Sequence, residues 1–521
     1  MTEQNVRLDQ AYQLSRNRQY MAALDIFTSC INHDPVSERA WMGAGACLYG
    51  LLQKGEAIKC FEFVLSKNPN HAAALIALAG FYSESGDLTL AKTYAERAVA
   101  LDGNNLDYCR IFSQIQVGLA TDPLEIKAIF ARYANQFYNG REVSGNHLYA
   151  NRFKNGNLKI AYVSGDLRSH SVAYFMEPVF AHHHYETYDI FVYATLGEDE
   201  VSNRIKSNPL TWLNVSTFTD EQLRNQILKD EIDILIDLSG HTAGNRLKVF
   251  AQRAAPVQVT WLGFMHTLGM KTIDYRLTDA GATPAGTDFH FVERLYRLPC
   301  MATYEPPFVV DTPKQAPHHA KGHVTVACLN HSRKLSDDAL RLFDSIAGSH
   351  EKVKFLLISN EKSQQNAELS FRQRAESLKI NFEHFEIRAF MPLKAFMSLG
   401  AEVDFVVDSF PTSGGTTTLH SLWMGLPIVA LQSTISANNT TANMLAGLGL
   451  HSLIAHDPSE YKDIVCHLIN EPDQLDGLRL EVRRRLQSSP LMNYEERVRD
   501  LELFFEFAKE EWQTKNVHAG V

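Results

Sequence analysis

The chain has 521 residues, 45% of them apolar and 21% charged, which is more than one hydrophobic core can organise and calls for about two to four domains. A formal net charge of −10 excludes a nucleic-acid binder, which needs a basic footprint. Seven scattered cysteines without a CxxC pair, a polar N-terminus and the lack of a ~20-residue apolar run exclude a disulfide scaffold and a membrane partner and predict a cytoplasmic protein.

The first hundred residues repeat. Pro35, Pro69 and Gly103 are each 34 residues apart. Ala23, Ala57 and Ala91 keep that period, as do Ala11, Gly45 and Ala79, and the larger Leu14, Leu48 and Tyr82. Small residues where two helices cross, ended by Pro, are the tetratricopeptide pattern of paired antiparallel helices. Residues 1–104 are therefore assigned to a short solenoid, which is a binding surface and not a catalyst. From Asn105 the repeat is lost, and 105–156 is read as a helical linker. Within it Leu124 to Phe137 is an amphipathic helix, and the Gly/Asn-rich stretch Arg141 to Asn157 is the junction to a second module.

The remainder alternates strands and helices. Buried strands are predicted at Lys159–Ser164, Asp189–Ala194, Ile232–Leu238, Val257–Leu262 and Tyr275–Thr278. A Pro- and His-rich break, Tyr304 to Gly322, precedes a second set at Val324–Leu329, Val353–Ile358, Val403–Val407 and Pro427–Leu431. Two such runs predict two doubly wound parallel sheets, assigned to lobes at 157–310 and 311–521, the latter ending in an amphipathic helix from Tyr494 to Glu511.

Ligands in these folds sit at C-terminal strand ends, so the loops there matter most. The strand ending at Ser164 places Asp166 and His170 on its loop, and the strand ending at Leu238 places His241 and Arg246. The strand ending at Leu329 places His331 and Lys334 before a helix from Asp337. Each loop is expected at a cleft mouth. The most informative stretch is Asp408 to Gly425, DSFPTSGGTTTLHSLWMG. It reads strand, tight turn through Gly414 and Gly415, then a helix N-terminus with hydroxyls of Thr416, Thr417 and Thr418 at the cap. Free backbone N–H groups and the positive helix end suit a phosphate there. The same residues also serve an ordinary capped turn.

The blocks YVSGDLRSHSVAYFM (162–176), DLSGHTAGNR with RAAPVQVTWLGFMHTLGMKTIDYRLTD (237–279), NHSRK and DSFPTSGGTTTLHSLWMGLPIV together resemble the O-linked N-acetylglucosamine transferase family, which includes the plant SPINDLY proteins. The order of repeats and then this region is also theirs. The resemblance implies an α + α/β chain: a tetratricopeptide solenoid followed by a GT-B pair of Rossmann-like lobes. It further implies inverting, metal-independent transfer of a sugar from a nucleotide-sugar donor, UDP-N-acetylglucosamine by default, to Ser or Thr of a protein held by the repeats, with no cofactor. By resemblance Lys334 binds the donor diphosphate, and Thr416 and Thr417 cap the phosphate-binding helix. His170 stands near the reacting centre as base or positioning group, Thr267 on the donor-sugar side, and Asp166 and His241 on the acceptor or sugar side.

Four positions depart from the animal members. Gly415 stands in place of His, His420 in place of the Asp that holds the ribose, His331 in place of Gln, and Phe396 in place of a His beside the base. All four count among the donor-binding residues, and their chemistry leaves the donor open: GDP-fucose or another UDP-hexose are alternatives. A non-catalytic repeat scaffold is a third reading. No run of His, Asp or Glu has metal-ligand spacing, so no metal is expected.

Overall fold

The structure is a computed structural model and describes residues 3–140, 149, 153, 156–311 and 315–517. Most of the predicted junction, Arg141 to Asn157, lies outside the described residues. The described chain forms two compact units, one of residues 1–120 with 325–396, the other of residues 121–324 with 397–521.

The first unit begins with three helix pairs, Glu3–Arg16 with Tyr20–His33, Glu38–Gly50 with Lys54–Lys67, and Ala72–Ser85 with Leu88–Leu101. Ala11, Ala23, Ala57, Ala79 and Ala91 are wholly buried where helices cross. At Gly45 even a Cβ would come within 2.8 Å of the Phe61 ring, so the close approach needs the missing side chain. The helical rhythm extends further than the sequence matches suggested. Ser37, His71 and Asn105, again 34 apart, each cap a helix by accepting an N–H three residues on. Helix Leu106–Leu119 packs Ile115, Ile111 and Phe112 into the third pair's core. The small-residue signature fades there, while the cap, a local requirement, persists.

This unit also holds strands β8 (Val324–Cys328, from Thr325), β9 (Val353–Ile358) and β10 (Phe385–Arg388), ordered β10-β9-β8, with β10 and β9 in parallel register. The second unit contains a parallel sheet of β1 (Leu158–Ser164), β2 (Tyr188–Ala194), β3 (Thr211–Asn214), β4 (Ile234–Asp237), β5 (Val257–Thr260), β6 (Tyr275–Asp279) and β7 (Arg294–Leu298). Its order is β3-β2-β1-β4-β5-β6-β7, so the winding reverses between β1 and β4. The same unit carries β11 (Phe405–Val407), β12 (Ile428–Leu431) and β13 (Ile454–Ala455), also parallel.

Four short strands escape sequence reading: β3, β7, β10 and β13. The first three leave residues exposed or half-buried and so lack a continuous apolar run, and β13 has only two residues. The last helix, Tyr494–Val517, follows the second set of strands in sequence but does not pack with it. Its Val498, Leu501, Phe504, Phe505 and Ala508 are buried in the core of the seven-stranded sheet. Glu502 anchors it there, meeting His183 Nδ1 at 3.0 Å and His184 Nδ1 at 2.6 Å. No helix among the described residues is long and apolar enough to cross a membrane.

Candidate active site

In the second unit, the β1 and β4 loops flank the point where the winding reverses, the position where open α/β sheets bind ligands. After β1, Asp166 is buried and its Oδ1 lies 3.7 Å from His170 Nδ1. Burial raises the Asp166 pKa against the opposing pull of His170 and Arg168, and burial lowers that of His170 against the pull of Asp166. The Val172 N–H donates to His170 Nδ1 at 3.3 Å. A neutral ring that accepts at Nδ1 carries its proton on Nε2. The loop is held by Asp199, whose carboxylate accepts the Ser169 N–H at 2.8 Å and caps helix Glu200–Lys206.

The cleft-mouth expectation does not hold for His241. It is wholly buried, its Nε2–H donating to the Leu268 carbonyl at 3.0 Å, and Phe130, Tyr133, Tyr138 and Phe264 surround the ring. Helix Pro123–Phe137 supplies two of those aromatics, a long-range contact that the loop sequence does not reveal. Arg246 is likewise structural, pairing with Asp220 at 3.1 Å and the Val215 carbonyl at 3.0 Å.

Thr267 is buried and its hydroxyl is committed. It donates to Glu293 at 2.7 Å and accepts the Gly269 and Val292 N–H groups, both at 3.1 Å. This shapes the 264–269 loop, which Arg276 reinforces by donating to the Phe264 carbonyl at 2.8 Å and to the His266 carbonyl. Sequence reading passed over Glu293 and Arg276. The one signal for them is charge inside otherwise strand-like segments.

The turn after β11 is locked from within. Asp408 accepts the Gly414 N–H at 2.9 Å, its backbone carbonyl accepts from Tyr461 at 2.8 Å, and Ser413 Oγ accepts the Thr440 N–H at 3.0 Å. The peptide between Phe410 and Pro411 is cis. Helix Thr416–Trp423 then starts from Gly415 at φ −150°, with no side-chain cap. The threonines are therefore the first helical residues and not the cap. Thr416 and Thr417 are half-exposed, while buried Thr418 pairs with Thr441 at 2.8 Å. A Cβ at Gly415 would meet nothing within 4 Å, so glycine leaves open space before the first-turn N–H groups.

His420 lies on the same helix, and the structure shows it enclosed. It is 5% exposed, its Nδ1 pairs with the Tyr304 hydroxyl at 2.8 Å, and Tyr174 meets it edge-on at 5.0 Å. Burial pushes its pKa down to about 4. Tyr304 belongs to the Pro-rich break, whose residues sequence reading left without a role.

In the first unit, Lys334 ends the turn Ser332–Lys334, which His331 starts by accepting the Arg333 N–H at 3.3 Å. Asn360 reaches His331 Nδ1 at 3.1 Å and Ser332 Oγ at 2.6 Å. The turn rests against repeat helix Ala72–Ser85. Arg374 joins the two, donating to the Leu335 carbonyl and Asp337 at 2.7 Å each and to the Ser85 carbonyl at 3.3 Å. Desolvation, then the charges of Arg333 and Lys54, lower the His331 pKa to about 4. Phe396 is half-buried on helix Leu393–Ser398.

The pattern of glycosyl transferase family 41 matches residues 125–401 and 362–501. The chain is 31% identical over 355 residues to the tomato protein named "Probable UDP-N-acetylglucosamine--peptide N-acetylglucosaminyltransferase SPINDLY", covering 67% of this chain and 38% of that one. The Arabidopsis thaliana SPINDLY protein is 32% identical over 346 residues, 64% of this chain and 38% of its own. The chain thus spans well under half the length of these relatives. A solved lysine-to-methionine mutant of the Thermobaculum terrenum O-GlcNAc transferase matches over 99% of this chain and 100% of its own, at 26% identity and a TM-score of 0.88. The α + α/β class, helical repeats followed by two parallel Rossmann-like sets of strands, is common to both. The chain belongs to glycosyl transferase family 41.

Proposed function

We propose that this chain is an inverting, metal-independent protein O-glycosyltransferase that moves a sugar from a nucleotide donor, UDP-N-acetylglucosamine by default, to Ser or Thr of a protein bound by the repeats. The observation that carries this reading is the locked turn Asp408–Gly415, which holds first-turn N–H groups and the Thr416 and Thr417 residues beside open space in a family 41 chain. Backbone N–H groups and threonine hydroxyls at this turn are all donors. They complement a diphosphate directly and offset the charge that grows on the nucleotide as the C1–O bond breaks. The acceptor hydroxyl attacks C1 from the opposite face, the C1–O bond electrons leave with the nucleoside diphosphate, and the hydroxyl proton passes to water. His170, neutral with its proton on Nε2, would orient an oxygen by donating to it and would not take that proton. No cofactor is called for, because the sugar nucleotide is a substrate.

A second reading keeps the chemistry and changes the donor to GDP-fucose or another UDP-hexose. His420 favours weighing it: its Nδ1 is engaged by Tyr304, so it does not offer the ribose the two acceptor oxygens of a carboxylate. The test is a thermal-shift and donor-hydrolysis screen of UDP-N-acetylglucosamine against GDP-fucose and UDP-hexoses, with and without EDTA. Stabilisation and turnover with the first alone, unchanged by EDTA, is the expected result. A GDP-sugar preference sinks the default donor, and a need for a divalent ion sinks metal independence.

A further inference from the structure

The Pro- and His-rich break ends in the short helix His318–Lys321, whose two adjacent histidines play no part in the transfer reading. His318 is 9% exposed. Its backbone N–H and its Nδ1 both meet Oδ1 of the wholly buried Asp404, at 2.8 and 3.0 Å. An imidazole that donates from Nδ1 to a buried carboxylate is held in the tautomer whose Nε2 carries a bare lone pair. That Nε2 is shielded from solvent and has no hydrogen-bond partner. It lies 3.9 Å from Oδ1 of Asp473, too far for a hydrogen bond. The His319 ring centroid is 4.0 Å from that of His318, and its Nε2 meets Asp476 at 3.1 Å. One ligand atom each from His318, His319 and Asp473 lie within 4.8 Å of one another.

We propose that His318, His319 and Asp473 bind a divalent transition-metal ion of the zinc class, with water completing the coordination. Two imidazoles and one carboxylate are a mixed nitrogen and oxygen set, which suits zinc or cobalt and not magnesium or calcium. The Nδ1 bond from His318 to Asp404 is the outer-shell support that metal-bound histidines use. Asp473 immediately precedes helix Gln474–Gln487, so the ion fastens the end of the break to that helix across 155 residues of sequence. It is a structural clip. It shares no residue with those assigned to the donor, and its failure would leave the transferase reading untouched.

The test uses the full chain without a histidine tag, stripped with chelator and titrated with zinc chloride or cobalt chloride. Binding of one equivalent by calorimetry, a rise in Tm with zinc that EDTA reverses, and visible absorption of the cobalt form are expected. The Asp473 side chain is 94% exposed, so Asp473→Asn leaves the fold intact. It and His319→Ala should each weaken zinc binding by at least about tenfold and abolish the rise in Tm, with Tm in EDTA unchanged. Absence of binding by the full chain overturns the proposal. So does equal binding by both variants, which would put the ion elsewhere among the cysteines and other histidines.

Discussion

Two loops assigned to donor binding are built in opposite ways. The Ser332–Lys334 turn of the first unit sits at a half-exposed surface, held by Asn360 and by the exposed ion pair of Arg374 with Asp337, with the cations Lys54 and Arg333 near His331. The Asp408–Gly415 turn of the second unit is braced by buried bonds from Asp408, Ser413 and Tyr461 inside its own sheet. Each carries a histidine whose pKa falls to about 4, but for different reasons: burial alone for His420, burial plus neighbouring cations for His331. Charge bracing is screened by salt and yields to what binds nearby, whereas buried bonding is fixed when the chain folds.

The largest effect is expected at the exposed loop. Lys334→Ala should lower transfer by on the order of 10²–10³-fold, as loss of one group that stabilises a leaving charge does. Tm should not move, because the side chain is only half-buried. Near-normal turnover removes Lys334 from the chemistry.

The next test separates the two histidines. A His with its folded pKa below its unfolded value binds fewer protons folded than unfolded. The stability tied to it is therefore complete above the unfolded value near 6.5 and is lost as pH falls toward 4. For buried His420 the loss is on the order of 3 kcal/mol across that window. His420→Phe should flatten the slope of stability against pH, whatever it costs at neutral pH. Titration by NMR at ~1 M salt, where the Debye length is about 3 Å, should raise the His331 pKa and leave that of His420 in place. Equal movement of both would erase the contrast in cause.

Asp408→Ala removes the bond to the Gly414 N–H and should cost about 1–3 kcal/mol of stability, the same at low and high salt. Urea melts at both ionic strengths check it, and a salt-dependent loss would mean that the turn is held by charge after all. The smallest effect belongs to Arg374→Ala, at most about 1 kcal/mol and fading with salt. Its signature is kinetic: transfer to protein and donor hydrolysis should fall together, because the Lys334 turn loses its brace. Arg374→Lys should not restore them, since one ammonium cannot reproduce the guanidinium fork across Leu335, Asp337 and Ser85. Unchanged rates in Arg374→Ala would show that the turn needs no support from the repeats.

What the sequence by itself determined is what local rules govern. The 34-residue period set the helix pairs, because small residues at a crossing are a spacing requirement. The buried strands declared themselves as apolar runs, and the Gly414–Thr417 stretch was legible as a strand-to-helix turn because glycines and hydroxyls mark it. The family resemblance came through the same blocks. Tertiary structure alone decided the rest. It placed helix Tyr494–Val517 in the core of the seven-stranded sheet, enclosed His241 among aromatics from helix Pro123–Phe137, paired His420 with Tyr304, and grouped the Lys334 turn with the repeats. Each joins residues more than 100 positions apart. Periodicity records which face of an element is buried, but not which distant segment covers it, and that choice rests on packing and hydrogen bonding that only the folded chain brings together.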